Sequence, residues 1–423
     1  MIIDNELLYT FHIFAVAFYH TWWVILPVAL YWIFKIIYFD FIAFRSPNSF
    51  HRGLKWMFLE VIPPKEVERG PKPMEFFFQS ISAVTSTPNT FTIWKEGRYT
   101  QDRFSFEIFG ENGQAHFIIR TLAGLRNFVE ANIYAHYPDA EVKEVEDYTL
   151  RFPKIIPNRD WTAWGTDFEF TNPQPMPIKT YDKFEEDITG TAIDPMSALM
   201  EVIGTLPPDQ YIWLQYAVEP AFEKWNLEDA QKKVLDVLKK KEVPLKLGFL
   251  DHIMDVFRNF FRAFVAPPEF STVQKKDEQP LEFRLSPGEK EVLKATEENL
   301  GKVTFKTKMR FIYLGKRDGF RKSFVTGTIG AMKQFNDINY NQVKPQEISK
   351  TYARIFFKEQ IIDFRIRKII KRYRDRDPTG VKITLSTKEM ATVYHFPDMG
   401  VKSPSVPRVA SKLGTAPPNL PVK

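Results

Sequence analysis

The hydrophobic and polar positions divide the chain into one long apolar run and two sets of shorter periodic segments. Residues 7–34 contain no Asp, Glu, Lys or Arg, and His12 and His20 are the only ionisable groups. As a helix this run would measure ~42 Å, more than the ~30 Å hydrocarbon core of a bilayer. It lacks the basic start and small-residue cleavage site of a signal peptide. We therefore predict a transmembrane anchor within residues 1–45, with a buried core helix as the alternative interpretation.

The charges that flank this run predict its orientation. Asp4 and Glu6 precede it, whereas Lys35, Arg45 and Arg52 follow it. Because positive flanks stay on the cytoplasmic side, we expect a single-pass protein of the cell membrane with its N-terminus outside and its soluble domains in the cytoplasm. The absence of cysteine fits a reducing compartment.

Residues 46–150 have the pattern of a first domain. Strand-like runs at 55–62, 104–109, 115–121 and 141–145 alternate with helical periodicity at 74–84 and 122–133. The order β-α-β-β-α-β is that of a ferredoxin-like split βαβ unit.

Residues 176–345 repeat this order after a predicted linker at 151–175. The strand-like runs are 177–184, 211–218, 303–314 and 339–343, and the helical ones are 194–203 and 320–335. In the run 303–314 the apolar side chains alternate with Lys306, Lys308 and Arg310. The predicted fold class is therefore α+β: a transmembrane helix followed by two ferredoxin-like domains, with a helical insert and a basic C-terminal helix.

The predicted insert, residues 222–301, contains two features of interest. Residues 247–265 form a Phe-rich amphipathic pattern, which suits either a membrane surface or packing on the second sheet. Ser286 and Glu289 have the spacing of a capping box, which predicts the start of a further helix.

Residues 346–377 predict a strongly basic helix. Residues 350–376 hold ten Lys or Arg against three Asp or Glu, and apolar residues recur with heptad-like spacing at Ile355, Ile362, Ile366, Ile369 and Tyr373. The basic residues of its C-terminal half are candidate polyanion ligands: Arg365, Arg367, Lys368, Lys371, Arg372, Arg374 and Arg376. The alternative interpretation is that they complement the helix dipole or are simply solvated.

Residues 378–423 predict a short helix and a proline-rich tail. Ser386 and Glu389 form a second capping-box pattern, and Pro397 ends the helix. The tail from Asp398 cannot build a core of its own, so we expect it to extend over a surface or a partner.

Sequence motifs for catalysis are missing. The chain has no cysteine for zinc or nucleophilic chemistry, and it lacks H-E-x-x-H, G-x-S-x-G and G-x-x-x-x-G-K-[ST]. We therefore predict a protein that is not an enzyme, with no catalytic residues, cofactor or metal ligands. The net charge of +6 is mild and permits contact with anionic lipid or nucleic acid.

Several strings resemble one membrane family across roughly residues 55–423. The most specific are Tyr137–Glu141 (YPDAE) and Tyr394–Pro397 (YHFP), with further similarity at 177–181, 309–313 and 416–421. Together they resemble the N-terminal half of type IV coupling-protein-like, HerA/FtsK-related ATPases of candidate-phyla bacteria. In that family the matching C-terminal region leads into a Walker A and B motor, which this sequence does not contain. The resemblance therefore implies anchoring and an adaptor role, not ATP hydrolysis.

Two functions of different classes follow. The first is a non-catalytic adaptor for a separate type IV secretion- or conjugation-like translocating ATPase, and the second is a membrane-attached module that binds nucleic acid or anionic lipid without a motor. We expect Tyr394–Pro397 to dock on the second domain of this protein and the tail end to reach the ATPase. The candidate docking residues are Tyr394, His395, Phe396, Pro397, Pro417, Pro418 and Leu420. Expected partners are the ATPase and membrane lipid, with DNA and a second copy of the chain left open.

Overall fold

A computed structural model provides the structure of the protein. It describes residues 53–64, 70–84, 103–174, 176–184, 193–221, 285–353 and 357–398, most residues of 19–35, and the isolated positions 16, 37 and 407. The chain divides into two compact units, residues 1–55 with 85–102, and residues 56–84 with 103–423.

The described part of the first unit is helical. Residues 19–24 and 26–35 are helical, and their side chains, including Trp22, Trp23 and Trp32, are exposed. Within the described ranges, no helix is both long and apolar enough to cross a membrane. The predicted span at 7–34 extends beyond the described residues, so the transmembrane anchor and its orientation stay predictions.

The second unit is built on one sheet of nine strands, which confirms the α+β class. The strands are β1 (Trp56–Ile62), β2 (Phe104–Glu111), β3 (Gln114–Leu122), β4 (Glu141–Val145), β5 (Trp161–Phe170), β6 (Gln210–Ala221), β7 (Thr304–Lys316), β8 (Val343–Pro345) and β9 (Ile383–Ser386). Their order is β4-β1-β3-β2-β6-β7-β5-β8, with β9 paired to β7. We call β1–β4 the first half of the sheet and β5–β8 the second half. When the strands of each half are numbered 1 to 4 along the chain, both halves have the spatial order 4-1-3-2. All recorded pairings are antiparallel.

The two halves meet edge to edge. Strand β2 pairs with β6 from Phe104 opposite Val218 to Glu111 opposite Tyr211. Because each strand would otherwise be the open edge of its own half, this pairing satisfies the backbone groups of both. The two sets of strands therefore form one continuous sheet.

The start of the second half differs from the prediction. Strand β5 lies inside the predicted linker at 151–175, whereas residues 177–184 contain only a 3-10 turn at Tyr181–Lys183. The sequence pattern did not predict β5, because a charged residue, Asp167, interrupts its apolar positions. In the structure this carboxylate is buried and forms ion pairs with Lys308 and Arg310 on β7. A periodicity argument treats such a charge as exposed.

Helices lie on both faces of the sheet. The described helices of this unit are α1 (Lys72–Ile81), α2 (Arg126–His136), α3 (Ser197–Gly204), α4 (Pro287–Leu300), α5 (Lys322–Met332), α6 (Lys358–Arg374) and α7 (Thr387–Val393). The larger core cluster joins the strands to α1, α2, α3, α5 and α7. A second cluster on the opposite face joins the strands to α6. The capping boxes predicted at Ser286 and Ser386 are confirmed, and they open α4 and α7.

Candidate interaction surface on the basic helix

Helix α6 is the predicted basic helix, and its inner face packs on the sheet. Ile366, Ile369, Ile370 and Tyr373 are buried in the second core cluster. The Tyr373 ring lies 5.1 Å, centroid to centroid, from that of Trp213 on β6. The expected packing face is confirmed for Ile366, Ile369 and Tyr373, whereas Ile355 lies outside the described residues.

Arg376 follows α6 and enters the protein. Its guanidinium is buried, with Nε 3.0 Å from Oε1 of Glu107 and Nη2 2.9 Å from Oδ1 of Asp147. Burial alone would lower the pKa of Arg376, but the two carboxylates raise it well above its ordinary value. For the acid Asp147 burial acts in the opposite direction and would raise the pKa, yet Arg376 holds that pKa below its ordinary value. Arg376 is therefore a buried cation that pairs with two carboxylates.

A second buried charge group lies beside the first. Asp167 of β5 contacts Nζ of Lys308 and Nε of Arg310, each at 2.8 Å. Gln215 connects the two groups, since its Oε1 accepts from Arg310 and its Nε2 donates to Oε1 of Glu107. We call these residues together the buried charge network: Glu107, Asp147, Asp167, Gln215, Lys308, Arg310 and Arg376. It ties β2 of the first half to β5, β6 and β7 of the second half.

Sequence analysis did not identify this network. The sequence feature that could have revealed it is the presence of Glu107, Lys308 and Arg310 inside predicted strands. The alternation of β7 did separate Lys308 and Arg310 from the apolar face. Only the packing of α6 against that second face makes these positions interior.

Three further predicted ligands are also engaged within the protein. Arg372 contacts Asp377 at 3.2 Å and donates to the carbonyl oxygen of Thr379 at 2.8 Å. Arg374 donates to the carbonyl oxygens of Lys154 at 2.9 Å and Pro153 at 2.8 Å.

Arg365 donates to the carbonyl oxygens of Lys350 and Tyr352, which ties the preceding segment to α6. Arg367, Lys368 and Lys371 differ, because their side chains are exposed. Of the seven candidate polyanion ligands, these three therefore remain on the surface.

The predicted docking segment Tyr394–Pro397 is buried in the protein's own core. Phe396 packs edge-on against Phe117 and Tyr137, with ring centroids 5.3 and 4.9 Å apart. These two contacts belong to the first half of the sheet, whereas the Tyr394 ring packs 5.9 Å from that of Tyr216 on β6 of the second half. The sequence predicted docking on the second domain, and the segment in fact packs on both halves. Pro417, Pro418 and Leu420 lie outside the described residues.

His395 secures the end of this segment. Its Nδ1 lies 2.8 Å from the carbonyl oxygen of Ala391, and its Nε2 lies 2.9 Å from Oδ1 of Asp194. Both neighbours are acceptors, so each ring nitrogen of His395 faces an oxygen that accepts hydrogen bonds. Oδ2 of Asp194 accepts from the backbone N–H of Asp398 at 2.9 Å. We call His395, Asp194 and the Asp398 backbone the C-terminal clamp.

A cleft of about 410 Å³ opens beside the buried charge network. Its polar walls include Glu60, Glu111, His116 and Arg151. Nδ1 of His116 lies 2.6 Å from Oε1 of Glu60, a hydrogen bond that lowers the pKa of Glu60, and Arg151 contacts both carboxylate oxygens of Glu111 at 3.1 Å. The charges of these walls are thus paired with one another. Among the residues that the structure describes, no group of three or more His, Cys, Asp or Glu could hold a metal ion.

Comparison with known proteins gives one family match. A family model described as "Domain of unknown function (DUF8128)" matches residues 48–408, which spans all nine strands and α6. No curated protein matches the chain.

Proposed function

The chain belongs to the DUF8128 family, and we propose that it is a membrane-anchored, non-catalytic adaptor subunit for a separate type IV secretion- or conjugation-like translocating ATPase. In this proposal residues 7–34 cross the cell membrane once, and the soluble part lies in the cytoplasm. The two halves of the sheet would be two ferredoxin-like units fused through β2 and β6.

The observation that carries the proposal is the fixed position of residues 383–398. Strand β9 pairs with the first four residues of β7, and α7 follows directly. The next residues, Tyr394–Pro397, are buried, and the C-terminal clamp holds Asp398. In the proteins that this chain resembles, the region that matches residues 385–421 leads into the motor. A fixed exit within this region suits a platform that presents the following residues to a motor.

The buried charge network supports the same role. A platform that resists the load of a translocating motor must keep its two halves in register. The network joins β2 to β5, β6 and β7 through charged side chains and the Gln215 amide, in addition to the β2–β6 backbone pairing. Charge-assisted hydrogen bonds of this kind add geometric specificity to the joint.

The tail provides the test of the adaptor role. Replacing Pro417, Pro418 and Leu420 by serine should abolish co-purification of ATP hydrolysis activity with the full chain from native membranes, because proline and leucine supply contact area at low entropic cost. The matched control replaces Val401, Pro404 and Pro407 by serine and should retain the partner. Equal recovery of the ATPase with both variants would show that docking lies elsewhere. No ATPase with the unmodified chain would refute the adaptor role.

A second candidate function rests on the three exposed basic side chains of α6. Arg367, Lys368 and Lys371 could make a polyanion-binding module that acts without a motor. Replacing Lys368 and Lys371 by serine should weaken duplex DNA binding and reduce the slope of log affinity against log salt by about 2 units, because each lysine that binds a phosphate adds about one unit to that slope. The control replaces Lys290 and Lys294 of α4, which are also exposed, and should leave the slope unchanged. An unaltered slope in the α6 variant would exclude these lysines as phosphate ligands.

A further inference from the structure

The outer face of α6 carries an apolar stripe that the sheet does not cover. Phe357, Ile361 and Phe364 recur at helical spacing, and 75%, 37% and 64% of their respective surfaces are exposed. Tyr352 lies in the segment that Arg365 ties to α6, and its ring is half exposed. Bulky apolar side chains are thus concentrated at the N-terminal half of the helix.

Phe357 also has an unusual backbone conformation. It precedes α6 with φ +53° and ψ +40°, in the left-handed region that bulky residues disfavour. Despite this cost, Phe357 remains 75% exposed.

The same stripe becomes basic toward the C-terminal half. Lys368 and Lys371 continue the positions of Ile361 and Phe364, and exposed Arg367 lies beside them. Phe364 and Lys371 are seven residues apart, or ~10 Å along the helix axis. A lysine side chain extends its charged end toward the headgroups while apolar neighbours enter the boundary layer, so both parts of the stripe fit one bilayer surface.

We propose that this outer stripe of α6 docks on the surface of an anionic lipid bilayer. The phenylalanines and Ile361 would enter the boundary between headgroups and acyl chains, while Lys368 and Lys371 contact headgroup phosphates. A bilayer supplies both the negative charge and the apolar layer that the stripe requires. Duplex DNA would satisfy the lysines but would leave Phe357 and Phe364 in water.

This lipid contact requires no ATPase, so it goes beyond the proposed adaptor role. Together with an N-terminal anchor it would provide a second point of membrane attachment. The soluble part would then be held against the bilayer instead of swinging on its anchor.

A single fluorescent label tests the docking directly. The chain has no cysteine, so Gln360→Cys gives one labelling site next to the stripe and leaves its apolar and basic residues intact. The labelled full chain would be combined with phosphatidylcholine vesicles, with and without phosphatidylserine, that contain a nitroxide-labelled lipid as quencher. We expect strong quenching with phosphatidylserine, little without it, and a loss at high salt. Ile338→Cys, at a residue that is 90% exposed and lies in the loop before β8, serves as the control and should not be quenched.

Variants of the stripe separate the contribution of its lysines from that of its apolar side chains. In the Gln360→Cys background, each of Lys368→Ser and Lys371→Ser should lower the ratio of docked to undocked protein roughly fivefold. Phe364→Ser should lower it roughly tenfold or more, because a phenylalanine side chain would lose its apolar environment. These residues are exposed, so the variants should fold normally.

Three results would overturn the proposal. Quenching that is equal at positions 360 and 338 would reflect non-specific adsorption. A label that is already shielded without vesicles would show that another part of the chain covers the stripe. Protection of the label by duplex DNA, with no quenching by anionic vesicles, would assign the surface to nucleic acid. Vesicle flotation reports separately whether the chain is attached at all, so a missing anchor is distinguished from a failure of α6 to dock.

Discussion

Replacing Arg376 by methionine is expected to lower the free energy of unfolding by about 3–5 kcal/mol. The guanidinium is buried against Glu107 and Asp147, so its removal leaves two carboxylates without their cation. Methionine keeps an apolar stem of similar length, which limits the loss of packing. Urea unfolding of the full chain, followed by circular dichroism, would measure the change.

The matched control for Arg376→Met is Arg367→Met. Arg367 belongs to the same basic cluster but is exposed, and its replacement should change the free energy of unfolding by at most about 0.5 kcal/mol. Adding Glu107→Gln to Arg376→Met should recover part of the lost stability, because one unpaired charge is then removed. Equal costs for the two arginine variants would mean that the buried charge network does not stabilise the joint between the halves.

Replacing Asp194 by asparagine is expected to have the second large effect, again about 3–5 kcal/mol at neutral pH. The change leaves His395 buried without the carboxylate that its Nε2 contacts. It also weakens the acceptor for the backbone N–H of Asp398, so the C-terminal clamp should open. Unfolding by urea measures the stability, and hydrogen exchange of the Asp398 amide measures the clamp.

The pH dependence of this loss has a definite sign. Burial alone would raise the pKa of Asp194, but His395 and the backbone N–H groups of Asp398 and Met196 hold it below its ordinary value. A carboxylate with a lowered folded-state pKa stabilises the protein fully above its unfolded pKa of about 3.9, and this contribution is lost as pH falls through the folded value. The stability difference between the unmodified chain and Asp194→Asn should therefore shrink below about pH 4.

Asp318→Asn serves as the control for the clamp, since Asp318 is exposed and its replacement should cost at most about 0.5 kcal/mol at any of these pH values. If the cost of Asp194→Asn were the same at acidic and neutral pH, the carboxylate charge would not stabilise the clamp. The clamp bears on the adaptor proposal because it holds the chain where the tail begins.

Local features of this protein could be predicted from its sequence. Strand β4 begins and ends at the predicted residues, and the predicted runs for β1, β2, β3, β6 and β7 overlap the observed strands. These segments have one or two apolar faces of period two, which depends only on neighbouring residues. The capping boxes at Ser286 and Ser386 are equally local, since a side chain closes on the third residue after it. The inner face of α6 followed from its helical spacing.

Contacts between distant residues decided the rest. The pairing of β2 with β6 joins residues about a hundred positions apart, and no local pattern specifies which edge strand meets which. Burial of Asp167, Glu107 and Arg376 is favourable only because their partners arrive from other elements, so the sequence alone made the basic cluster look uniformly exposed. Tyr394–Pro397 likewise enters the core because Phe117 and Tyr137 form a site for Phe396. Local pattern thus determined most of the elements, whereas the tertiary structure decided that β5 is a strand, which charges are buried in ion pairs and which remain on the surface.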